Sequence, residues 1–83
     1  MALKTLLVAP TPTAIWRRDF TLAIPPFPGL GIRLDVYEMV NVDSVVVGDT
    51  PYDVTCIVSP EGGEVFPPEK WTALGFEVGP YPV

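Results

Sequence analysis

The chain reads as a mainly β protein: one small antiparallel sheet of four or five strands, curled into a barrel or half-barrel, with a single short helix near residues 68–74. Three observations predict this. Apolar residues recur at every second position in several short runs; eleven prolines cut the chain between those runs; and only one stretch carries the start and stop signals of a helix.

The first strand pattern lies between Ala14 and Ile24, where Trp16, Phe20, Leu22 and Ile24 fall on one face and Arg17, Asp19 and Thr21 on the other. Arg18 interrupts the apolar row. Pro25-Pro26-Phe27-Pro28-Gly29 then reads as a rigid connector, although its P-x-x-P spacing also fits an extended left-handed helix offered to an aromatic groove. Ile32, Leu34 and Val36 alternate with Arg33, Asp35 and Tyr37 in a second strand.

Val40 and Val42 open a third strand, and the parity slips into Val45-Val46-Val47, which predicts a bulge near Asp43-Ser44. Gly48-Asp49-Thr50-Pro51 supplies turn chemistry before Tyr52, Val54, Cys56 and Val58, so residues 40–58 form a hairpin. Pro67-Pro68-Glu69-Lys70-Trp71-Thr72-Ala73-Leu74-Gly75 has proline at the first helical position and glycine past the last. A helix of about two turns is too short to stand alone, so Trp71 and Leu74 must dock on the sheet. Phe76-Glu77-Val78 is a candidate final strand. The 83 residues read as one domain, with tails at 1–12 and 79–83.

Composition narrows the function classes. There is no histidine and only one cysteine, Cys56, set in the apolar run Val54–Val58. That removes the usual general base near neutral pH and every Ser/His/Asp or Cys/His arrangement, and it implies no disulfide scaffold. Cys56 reads as a buried, inert thiol in a reducing, cytoplasmic setting. Asp35 with Glu38 and Asp49 with Asp53 are imaginable acid/base pairs, yet strand alternation and turn position make them solvated surface groups. No catalytic residue, no metal site and no cofactor is expected. Gly29-Leu30-Gly31 lacks the third glycine of a dinucleotide loop, since Leu34 stands at that position. The apolar patch at the N-terminus is broken by Pro10 and Pro12, so neither a secretory signal nor a membrane span is expected.

The net charge is −5 and unevenly spread: residues 1–36 hold four basic and two acidic side chains, residues 37–83 one basic and eight acidic. An acidic lobe repels phosphate backbones, so direct nucleic-acid binding is disfavoured and a protein partner with a basic surface fits better. So small a chain has a thin core, and self-association is the remedy left once disulfides and metals are set aside. The chain is therefore expected to be a non-enzymatic, self-associating interaction module, an accessory or inhibitory protein of the kind phages and mobile elements carry. Its candidate contacts are Trp16, Arg18, Phe27, Trp71 and Tyr81, since Trp, Tyr and Arg dominate binding energetics when desolvated. A small-ligand or nucleotide binder using a barrel mouth or dimer cleft is the second reading, and a structural subunit of a larger assembly such as a virion the third.

Overall fold

The computed structural model of the protein describes residues 2–12, 14–48, 51–63 and 65–79. Six strands form one sheet: β1 (Leu3–Pro10), β2 (Ile15–Leu22), β3 (Gly31–Arg33), β4 (Met39–Val46), β5 (Val54–Pro60) and β6 (Glu77–Val78). A one-turn 3-10 segment (Glu61–Gly63) and one helix, α1 (Pro68–Ala73), lie between β5 and β6. The spatial order is β3-β4-β5-β1-β2-β6, and the sheet curls into a half-barrel.

The sheet is mixed, not purely antiparallel, because β5, antiparallel to β4 along one edge, pairs parallel to β1 along the other, from Thr5 opposite Val54 to Val8 opposite Ile57. The segment expected as an N-terminal tail is thus the central strand. Its signal was concealed by its position: Thr5, Leu6, Leu7, Val8 and Ala9 are each no more than 1% exposed, and a strand covered on both faces shows an unbroken apolar run instead of alternation.

The expected hairpin over residues 40–58 is present as β4 and β5, with its register shifting between Val42 and Ser44, where the valine parity slips. The strand expected from Ile32 to Val36 ends at Arg33. Asp35 is the reason: its Oδ1 accepts from the backbone N–H groups of Tyr37 and Glu38, both at 2.8 Å, and Leu34 N–H bonds the Glu38 carbonyl, closing a tight loop.

The route from β2 to β3 passes the edges of β1, β5 and β4. At about 4.8 Å per strand this is about 19 Å, and the eight connecting residues can reach about 26 Å when extended. The Pro25–Pro28 run suits that task, stiff and extended, and it is pinned to β4 by Gly29 N–H on the Val42 carbonyl and Val42 N–H on the Leu30 carbonyl, both 2.8 Å.

Register pairs place Leu7, Ala9, Trp16, Leu22, Ile32, Val40, Val42, Cys56 and Val58 on one face, where Phe66, Trp71, Leu74 and Phe76 cover them. Helix α1 has Pro68 in its first turn and ends as predicted on Gly75, whose φ is +88°. Phe76 N–H reaches back to the Trp71 carbonyl and Gly75 N–H to that of Thr72, both at 3.0 Å. This closure brings the Phe76 ring edge-on to Trp71 with centroids 4.9 Å apart, and so returns the chain to β2 as β6.

Leu7→Ala, in the middle of β1, is expected to lower the unfolding free energy by about 2–5 kcal/mol in urea titration, since the cavity lies where both faces are packed. Leu3→Ala, at the half-buried start of the strand, should cost clearly less.

Candidate functional site

Where the two ends of the covering layer meet the sheet, the core is left open. Ala9 and Pro10 of β1, Thr11 and Pro12 of the following turn, Trp16 of β2, Val58 and Pro60 of β5, Val65 to Pro68 and Trp71 line a cleft of about 410 Å³. Trp16 and Trp71 stack with centroids 6.4 Å apart and planes 18° off parallel, and Phe66 tilts against Trp71 at 4.9 Å. Proline forms much of the rest of the wall because the turns that end β1 and β5 and start α1 are proline turns.

Two features stand out here. Trp71 is 1% exposed, and its indole Nε1–H is the one fully buried side-chain polar atom among the described residues with no hydrogen-bond partner. An unmet buried donor costs about 1–3 kcal/mol, a cost carried inside the aromatic cluster and not on the cleft surface. Val65, in the cleft wall, is 87% exposed, an apolar side chain with no protein to cover it. Glu61 and Glu69, each next in sequence to a proline of the cleft wall, are exposed. Lys70 is drawn inward, its Nζ 4.1 Å from the Phe66 ring centroid and 2.9 Å from Glu38 Oε1, which ties the β3–β4 loop to α1 beside the cleft.

The candidate contacts fall into three groups. Trp16 and Trp71 come together, and both serve the core as well as the cleft. Arg18 lies on the core face of β2 near the open edge of the sheet, half-buried, its guanidinium 5.5 Å from the Phe20 centroid and its chain beside Gly75. Phe27 is 51% exposed in the connector, away from the cleft lining, and Tyr81 lies outside the described residues. Phe66, Val65 and the wall prolines were not singled out from sequence. The Val65-Phe66-Pro67-Pro68 run was the available signal, but it reads only as a helix lead-in until β1 is known to end beside it.

The opposite face of the sheet carries a second cluster. Tyr52 reaches over β1 to β2, donating its hydroxyl proton to Asp19 Oδ1 at 2.5 Å and accepting from Arg17 Nη2 at 3.3 Å, with Lys4 Nζ 5.4 Å from its ring centroid. Register puts Leu6 opposite Asp19 and Val8 opposite Arg17, so this bridge helps seal two residues that are 0% exposed. The hydrogen bond to Asp19 holds the Tyr52 pKa above 10, and burial raises that of the Cys56 thiol. Among the described residues no three His, Cys, Asp or Glu side chains gather as metal ligands, and no helix is long and apolar enough to cross a membrane.

Comparison of the chain with protein-family models, with curated proteins and with solved structures finds no match in any of the three.

Raising pH should expose the Tyr52 bridge. Its protonated form is the one the fold favours, so its stabilisation is present below the unfolded value near 10 and is lost as pH climbs through the higher folded value. Phenolate absorbance should show a tyrosine titrating late in wild type, and Tyr52→Phe should remove both that step and the matching part of the alkaline fall in stability.

Proposed function

We propose that this protein is a non-enzymatic interaction module that takes an extended, apolar segment of another protein into the cleft floored by Trp16 and Trp71. The observation that carries the reading is an apolar cleft of about 410 Å³ walled by the stacked Trp16 and Trp71, by Phe66 and prolines, and by the exposed Val65. A peptide supplies what such a surface lacks: proline or aliphatic side chains to fill the aromatic slot and cover Val65. Aromatic grooves favour segments already extended, because those lose less entropy on binding.

Charge refines the partner. The exposed Glu61 and Glu69, each next in sequence to a cleft-wall proline and in the part of the chain that holds most of the acidic residues, favour basic residues flanking the apolar segment. The same arrangement disfavours nucleic acid. A small apolar ligand is a second reading, favoured by the cleft volume, which falls within the ~300–1,000 Å³ of small-molecule sites.

Trp16 and Trp71 are the only two tryptophans and both line the cleft, so occupancy should be visible in intrinsic fluorescence. Titration with proline-containing peptides flanked by lysine or arginine is expected to shift the emission, with affinity falling as salt rises. Val65→Asp should leave the thermal midpoint nearly unchanged, because the side chain is 87% exposed, and weaken binding about tenfold or more. Peptides that never perturb the tryptophans, alongside small apolar molecules that do and that compete at Val65, would transfer the assignment to the second reading.

A further inference from the structure

The sheet ends on one side in a strand that is mostly bare. β6 pairs with β2 only at Trp16 opposite Val78 and Arg17 opposite Glu77, with Gly79 N–H reaching the Ile15 carbonyl at 3.1 Å. These bonds fix the direction of every main-chain group in β2. Odd-numbered residues point their N–H and C=O away from β1, so those of Asp19 and Thr21 face outward beyond the reach of β6 and find no main-chain partner among the described residues.

The length without an outward main-chain partner runs from Arg18 to Leu22, with Gly75 packed against the Arg18 side chain on the core face at the β6 end. It is bounded at one end by β6 on Arg17 and at the other by the bend at Ala23-Ile24 before Pro25. Its side chains differ by face: Arg18, Phe20 and Leu22 on the core side, Asp19 and Thr21 on the other. Phe20 is only partly buried and Ile24 is 51% exposed, so apolar surface is left uncovered along this edge.

We propose that Arg18–Leu22 pairs antiparallel with the same five residues of a second copy of this chain, centred on Phe20, joining two six-stranded sheets into one. The register follows from exclusion. Centring on Asp19 sets two carboxylates opposite each other and drives Thr21 of one copy against Arg17, which Glu77 already occupies. Centring on Thr21 requires Ala23 to continue a strand from which the chain has already bent. Centring on Phe20 uses the free residues and no others. Asp19 of each copy then exchanges both main-chain bonds with Thr21 of the other, the two Phe20 rings meet on the core face, and each Arg18 falls opposite a leucine with no like charge facing it. The second copy is the occupant chosen because this register is self-complementary: two-fold pairing joins the outward groups of Asp19 to those of Thr21 and opposes no two like charges.

This edge and the cleft are separate surfaces, since the cleft takes only Trp16 from β2. Sedimentation of the full chain should therefore show a concentration-dependent dimer that Val65→Asp leaves intact. Thr21→Pro removes an outward N–H without touching the β1 ladder, and it should raise the dimer dissociation constant about tenfold or more while the circular dichroism is unchanged. In the proposed register the two copies of residue 20 form a directly opposed pair about 4.5 Å apart at Cα, so Phe20→Cys should cross-link on mild oxidation. Thr21→Cys, diagonal to its own copy, should not. A chain that stays monomeric at submillimolar concentration overturns the proposal, as does a dimer that a folded Thr21→Pro variant leaves intact. If Thr21→Pro does not fold, the cysteine pair decides: absence of the Phe20→Cys cross-link, or faster cross-linking through Thr21→Cys, overturns it as well.

Discussion

The parallel contact between β1 and β5 is the constraint on which the other features rest. The β1–β2 hairpin and the β3–β4–β5 meander are each local structures with an exposed edge, and neither has a complete core of its own. Setting β5 beside β1 joins them into one sheet and buries Thr5 to Ala9 on both sides. Parallel pairing of this kind closes a long chain loop, so it forms only because the apolar area it removes from water offsets the entropy of that closure.

That one contact also positions the cleft. Pro10 and Pro12 at the end of β1 and Pro60 at the end of β5 become neighbours because the strands that lead to them run the same way, and the Val65–Pro68 lead-in to α1 then crosses beside them. Trp71 is shared: it packs against Trp16, Phe66 and Phe76 as the centre of the covering layer, and the same ring forms the floor of the opening.

The two faces of the sheet are sealed by different chemistry. On one side aromatic rings cover the aliphatic strands; on the other a tyrosine, a carboxylate and two cations lie over Leu6 and Val8. The second arrangement is economical in a short chain, since long polar side chains can screen apolar surface while their charges stay in water.

Local rules explain what was legible beforehand. Period-two alternation located β2 and the β4–β5 hairpin, a parity slip located the bulge at Val42–Ser44, and proline with glycine bracketed α1, because each is decided by residues within a few positions of one another. The burial of Cys56 was equally readable from its apolar neighbours. Tertiary structure alone decided the rest. A doubly buried strand has no amphipathic period, so β1 looked like a tail. The Asp35 loop outcompeted the strand pattern of Val36 through two side-chain hydrogen bonds. The cleft joins residues 9–16, 58–60 and 65–71, brought together only when β5 settles alongside β1. Sequence determined which segments would be strands and what chemistry they carried; long-range pairing decided which of them became neighbours, and so where the surface was left open.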